Sequence, residues 1–431
     1  MATWLVYLSV FLLPAYIFRF KVLGIPTNVF EVAVLVAFLV FVAEKLLCHA
    51  EFISASQQSI TEIPKQVRDD THKSLKFGYL SAYLFLLSAI VAVYFASNKI
   101  DALGILKGWF FVPAILFFLV INLFNKEKIK FLAIPLFISL QIVSIWAILQ
   151  KFGVLTTLFY QVGDVGFSDY LSRFRAFGPF ESPNYLAMFL LSAGFLSLPI
   201  ITIFRKNLDK AILASFYLLP LYAIYASHSL GGLLAFCIST IAFLSFLLIK
   251  IRHERREFSG RKITALAFLI IILAVGFSFA LSRIDTDVYS HNLRLDIYRY
   301  SLELVRQNPI TGVGLGGYAD SVKEVSKNDF GFTLYGLSYA LHPHNLFLAL
   351  WLNQGIFGLL AFSFLLIQFF WSLGRRGGGP LLLSAIFTAM MAIIAHGLVD
   401  TTYFKNDLSA IFWLTYAFGV LIGGKNGQTT K

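Results

Sequence analysis

GILKGWFFVPAILFFLVINLFNKEKIKFLAIPLFISLQIVSIWAILQ, residues 104–150, holds two apolar stretches joined by a short island with Lys126, Lys128 and Lys130. Each stretch has about twenty residues, the length a helix needs to cross the hydrocarbon core of a bilayer. Neither alternates polar with apolar residues, so each reads as a helix and not as a barrel strand. In lipid the backbone polar groups must be satisfied within the segment. Working outward, similar stretches fall at about 3–18, 28–48, 77–96, 184–204, 211–227, 230–249, 263–281, 345–371, 381–399 and 408–423. The expectation is an all-α, polytopic membrane bundle of about twelve spans forming one integral membrane domain. Composition agrees: of 431 residues, 58% are hydrophobic and only 13% charged, which excludes the common soluble classes.

The formal net charge is +12. In a soluble chain that excess would suggest a nucleic-acid partner. Here Lys and Arg gather in alternate loops, the bias that keeps a loop on the cytoplasmic side, so the partner is the lipid bilayer and no nucleic acid is expected. With the amino terminus inside, the two long outer loops are 151–183 and 282–344. Segment 49–76 reads as a polar cytoplasmic loop or insertion; its IPKQVRDD stretch resembles peptides translated from bacterial intergenic repeats. Cys48 and Cys237 support neither a disulfide framework nor a paired metal site. The first twenty residues lack a basic leader and a small-residue cleavage site, so they are expected to remain as a helix. No repeat of a solenoid or propeller period is visible.

Long loops in a compact bundle usually carry function. In 282–344, Asn292 is a plausible N-cap for a helix whose Leu295, Tyr298, Leu302 and Val305 recur at helical spacing, with Pro309 ending it. GVGLGGY, holding Gly312, Gly314, Gly316 and Gly317, reads as a tight turn, because no strand precedes it as a dinucleotide loop would require. Arg294 falls in the first turn of the outer helix. Arg175 lies in RFRAFGPFESPN just before a span, and HPHN (342–345) sits where the large loop returns to the membrane. Each alone has an ordinary reading, a headgroup-facing arginine or a structural histidine. Together they place two guanidinium groups and an imidazole at one membrane face.

RAFGPFESPN (175–184), RLDIY with NPITGVGLGGY (294–318) and HPHNLFLALWLNQGIFG (342–358) resemble the O-antigen ligase and polymerase superfamily in order and spacing. That resemblance implies a GT-C-type membrane glycosyltransferase of the bacterial inner membrane with its active site facing the periplasm. It would move a glycan from undecaprenyl pyrophosphate to an acceptor hydroxyl on a glycan, a lipid A-core or a protein. The family's two arginines map onto Arg175 and Arg294 and its histidine onto His344, with His342 an extra neighbour. The chain departs from the family pattern at Leu230, where the family often has arginine, and at Gln354, where it often has an acid.

The residue types suit that chemistry. Breaking the bond from sugar C1 to pyrophosphate builds negative charge on the leaving group, which fixed cations stabilise. Arginine binds phosphate oxygens through two parallel donors and stays charged. Histidine titrates near neutrality and can take the acceptor's proton, or orient the acceptor by hydrogen bonding, so His344 is the expected base or positioner. Direct displacement implies inversion at C1. No clustered acidic or histidine ligands are apparent, so neither a metal nor another cofactor is expected. Asn184 is expected to cap its helix or help bind the donor. Tyr298 and Arg299 are expected to pack and make secondary phosphate contacts, His342 and Asn345 to line the site, and His396 and Asp400 to be structural. A polyprenyl-oligosaccharide flippase or other secondary transporter is the rival; it would place ionisable residues near the bilayer midplane in related halves. A scaffold protein would not need this set of arginines and histidines.

Overall fold

Described in the computed structural model are residues 1–22, 24–56, 69–156, 174–253, 288–337, 340–374 and 379–422. The protein is an all-α bundle, in which seven helices among the described residues are long and apolar enough to cross a membrane and three shorter ones are also apolar. In chain order they begin with α1 (Ala2–Phe11), a short hairpin of β1 (Arg19–Val22) and β2 (Ile25–Asn28), α2 (Val29–Ser56), α3 (Asp69–Phe95) and α4 (Lys99–Leu123). They continue with α5 (Ala133–Lys151), α6 (Pro183–Ser197), α7 (Asn207–Ser215), α8 (Leu218–Ala226) and α9 (Leu230–His253). Next come α10 (Val288–Gln307), α11 (Tyr318–Val325) and α12 (Phe330–Tyr335). The last three are α13 (Leu346–Gly374), α14 (Pro380–Gly397) and α15 (Asn406–Ile422).

The apolar stretches expected from sequence coincide with these helices, except 263–281, which lies outside the described residues. Helices α2 and α3 continue to Ser56 and from Asp69, so the polar interruption at 49–76 is partly helical; 57–68 lie outside the described residues. The hairpin is an addition that the hydropathy pattern did not foretell. It pairs Arg19 with Asn28 in antiparallel register.

Helix α15 is the axis of the bundle: residues 401–419 are all buried, as expected of a helix that is apolar on every side. It packs on α4 and α6, while α13 packs on α3 and α14 on both α6 and α9. An aromatic cluster of Phe85, Phe110, Phe362, Tyr403, Phe412 and Trp413 joins α3, α4, α13 and α15. The Trp413 indole donates to the Tyr403 hydroxyl at 3.0 Å, and that hydroxyl donates to the Trp109 carbonyl at 2.9 Å. Nearby, the buried Glu31 carboxylate accepts from Asn406 at 2.9 Å and pairs with Lys107 at 2.8 Å. These contacts fix the turn 398–405 that enters α15.

Residues 309–317 are wedged into the bundle. At Gly355 (φ 68°, ψ −173°) α13 breaks, freeing backbone groups that lipid could not satisfy. The turn before α11 supplies partners: Ile356 N donates to Ile310 O at 3.0 Å and Val313 N to Leu352 O at 2.7 Å. The Trp351 indole donates to Pro309 O at 2.7 Å. Gly314 (φ 82°) presses its backbone against Ala96, where a methyl group would collide with the end of α3. The glycine-rich turn is thus a plug between α3 and α13, and it fixes where α10 stands.

Candidate functional site

The site forms at one end of the bundle, from segments that follow alternate spans. The first is 174–182, before α6. Its backbone is braced by the fully buried Gln150, whose Oε1 accepts from Phe177 N at 3.3 Å and Gly178 N at 2.8 Å, and whose Nε2 donates to Gly178 O. Gly178 takes φ 59° to allow this curl, and Ala176 N donates to Ala226 O. Arg175 is thereby aimed inward, and its Nε donates to Ser227 O at 3.2 Å.

Ser182, not Asn184, caps α6: the Ser182 hydroxyl accepts from Asn184 N at 3.2 Å, and Pro183 takes the first turn. The Asn184 side chain is free for other work. Its Oδ1 accepts from the Ser229 hydroxyl at 2.8 Å, which turns its Nδ2 toward Asp400 Oδ2 at 3.0 Å. Ser229 in turn accepts from Gly232 N at the start of α9.

Asp400 is the hub. It follows α14, is 2% exposed, and its Oδ1 accepts from Thr401 N at 2.9 Å. His342 Nε2 lies 3.1 Å from the same oxygen, His344 Nδ1 3.4 Å from it, and the two imidazole centroids are 4.2 Å apart. Burial alone would raise the Asp400 carboxyl, but the hydrogen bond from His342 and the nearness of both imidazoles hold it well below its usual range. Burial pushes His342 down, only partly offset by Asp400, so its imidazole is neutral at neutral pH. Each ring turns one nitrogen to the carboxylate, which leaves the other as a proton acceptor, the logic of a carboxylate-oriented base.

His344 has φ 45°, and His228 beside Arg175 has φ 48°; these are the non-glycine residues in the left-handed region among the described residues. Such strain persists where surrounding contacts impose it and clusters at functional sites. For His344 the contacts are visible: the Tyr298 hydroxyl donates to His344 O at 3.0 Å. Asn345 then caps α13, its Oδ1 accepting from Phe347 N and Leu348 N at 3.0 Å while its Nδ2 donates to Leu398 O at 2.9 Å.

Arg294 stands one helical turn before Tyr298, on the same face of α10. Its charge, after burial itself, depresses the Arg175 guanidinium, and it also acts on His342. The two arginines therefore share one electrostatic neighbourhood with the imidazoles. Among the described residues neither arginine has an acidic side chain within ion-pair range. Two cations so placed repel each other and call for an anion between them.

Most expected site residues are thus brought together: Arg175, Asn184, Arg294, Tyr298, His342, His344 and Asn345. Arg299 is not among them, as its guanidinium lies over the Tyr300 ring at 5.0 Å on the exposed side of α10. Asn292 is no cap, since α10 starts at Val288 and Asn292 lies within it; Arg294 accordingly sits in the second turn. Asp400, expected to be structural, is the group both histidines face. The signal that could have found it is a lone acid in the short turn 398–405 between α14 and α15. His342, His344 and Asp400 present ligand atoms all within 4.8 Å of one another, so the trio could also hold a divalent cation.

Fold and site together define a multi-pass membrane protein with a two-arginine site, without an acidic partner among the described residues, near a carboxylate-held imidazole pair. Residues 213–363, which carry Arg294, His342 and His344, match the family model of O-antigen ligase, a match that supports the O-antigen ligase and polymerase superfamily. Glycan transfer of that general type, at a membrane, is the activity this match supports. No curated protein matches the chain significantly.

Proposed function

We propose that the protein transfers a glycan from undecaprenyl pyrophosphate to an acceptor hydroxyl at the periplasmic face of the bacterial inner membrane. The observation that carries this reading is the pair of partly buried arginines, Arg175 and Arg294, close enough to repel and with no acidic partner among the described residues. A diphosphate supplies the missing countercharge through bidentate contacts, and those contacts strengthen as charge builds on the leaving group. The acceptor oxygen forms its bond to C1 as the bond from C1 to the phosphate oxygen breaks. The electron pair leaves with the lipid diphosphate, and the acceptor proton passes to His344, held by Asp400. One displacement inverts C1. Asn184 orients Asp400, and Tyr298 fixes the backbone of His344. No step in this scheme needs a metal.

The flippase reading fits less well, because the ionisable cluster lies at one end of the bundle and not at its middle. The test is transfer by the purified full-length protein, given an undecaprenyl-pyrophosphate-linked glycan and each of three acceptors: lipid A-core, a glycan end, and a protein. A covalent product that survives chelation with EDTA is expected. Movement of the donor across a vesicle without any product would refute the proposal, and loss of transfer on chelation would put a cation at His342, His344 and Asp400.

A further inference from the structure

We infer that a separate cavity beside His342 binds the acceptor as an uncharged saccharide, an assignment that rests on the transfer reaction proposed above. The cavity measures about 340 Å³ and is walled by Tyr16, Trp109, Tyr185 and Phe404, with Arg19, Glu181 and Lys405 among its polar groups. That volume is at the small end of ligand pockets. Its size suits a sugar ring or two, not a lipid headgroup with its chains.

Three observations select the ligand class. First, both cations already have countercharges: Arg19 pairs with Glu181 at 2.7 Å, Lys405 pairs with the same carboxylate, and the buried Asp407 also acts on Lys405. An anion would gain little here, in contrast to the arginine pair across the site. Secondly, the polar groups alternate with aromatic rings, the combination that receives a pyranose, whose hydroxyls need donors and acceptors while its C–H faces need an apolar plane. The large groove between α3 and α13, about 600 Å³, is lined mainly by leucines and phenylalanines, with Ser88, Thr311 and Gln354 its polar residues, and it would suit hydrocarbon. Thirdly, His342 is a wall of the cavity, whereas Arg175, Arg294 and His344 are not. The His342 ring lies 6.2 Å from that of Tyr185, whose own ring is 4.1 Å from the Lys405 ammonium.

The geometry therefore divides the labour. The diphosphate is held on the arginine side and the nucleophilic sugar on the Tyr185 side, with the histidine and Asp400 cluster as the partition. Arg19, more than half exposed, stands at the mouth, and Lys405, nearly buried, at the floor. His342 acts as a positioning residue for the acceptor hydroxyl, next to His344.

The experiment uses the full-length protein in nanodiscs with two substitutions, Trp109→Ala and Arg19→Ala, each away from the catalytic cluster. In steady-state transfer, KM for the acceptor should rise about tenfold in each variant, while KM for the donor stays at the wild-type value. A risen donor KM with an unchanged acceptor KM would overturn the assignment, as would no change in either. Saturation-transfer NMR with free glucose, galactose and N-acetylglucosamine gives a readout that needs no donor. Sugar signals present with the wild type and lost with Trp109→Ala support the cavity even if the donor reading fails. Signals that persist in the variant, or that are absent from the wild type, refute it.

Discussion

Replacing Asp400 by asparagine keeps the shape of the hub and removes its charge. In the protein, Asp400 Oδ1 lies 3.1 Å from His342 Nε2 and 3.4 Å from His344 Nδ1. When His344 takes the acceptor proton, the new imidazolium is about 4 Å from the carboxylate, and at an effective dielectric of about 20 their attraction is about 4 kcal/mol. The substitution removes the attraction that arises as the proton moves to His344. The expected loss in kcat is therefore about three powers of ten. The donor KM should stay nearly constant, since neither arginine touches Asp400. Steady-state transfer by purified Asp400→Asn, with melting in detergent as the control for folding, measures both. A variant that melts like the wild type yet retains kcat within about fivefold would refute the carboxylate-oriented base.

Other outcomes follow from the same geometry. Asn184→Ala leaves Asp400 Oδ2 and the Ser229 hydroxyl without their partner, so it should cost about 1–3 kcal/mol of stability, read as a lower melting temperature with kcat reduced. Gly355→Ala forces a left-handed, non-helical backbone on alanine and drives a methyl group into the Ile310 carbonyl. It should lower the yield of folded protein, whereas Gly104→Ala, in open space, should not. Because burial depresses the His342 pKa, protonation of that ring belongs to a pH below the ordinary histidine value of about 6.5. In NMR the His342 imidazole should therefore titrate on that side, and Asp400→Asn, by removing the influence that raises His342, should move its midpoint further into acid. A midpoint above the ordinary histidine value would contradict this reading of the His342 site. Arg175→Lys should reduce transfer about tenfold or more, because an ammonium ion cannot make the paired contacts of a guanidinium, and wild-type rates in that variant would exclude bidentate binding.

The helical class, the positions of the apolar helices and several residues of the candidate site were legible from the sequence because each depends on local composition. Apolar length decides a membrane helix wherever it occurs, and a loop arginine near a span announces itself. Asp400 did not, because its role depends on contacts with residues far away in sequence: Asn184, His342 and His344 reach it only when α6, α13 and α14 pack. Likewise Asn184 and Ser182 both suit an N-cap, and only the extended backbone of Ser182 decides between them. Asn292 misled for the same reason, since a polar residue inside a helix and one at its start look alike until the preceding dihedrals are known. Gln354, marked only as a departure from the family pattern, is buried and accepts from Ser88 at 2.9 Å, one residue before the break that receives the outer loop. The pairing of Arg19 and Lys405 with Glu181 was hidden too, because it joins three segments separated by most of the chain.

The most direct test of the arginine pair is binding of undecaprenyl pyrophosphate and undecaprenyl phosphate to the full-length protein in nanodiscs, with Arg175→Ala and Arg294→Ala beside the wild type. Tighter binding of the diphosphate, weakened about tenfold to a hundredfold by either substitution, is the expected result. Equal affinity for both lipids, or wild-type affinity in both variants, would contradict it.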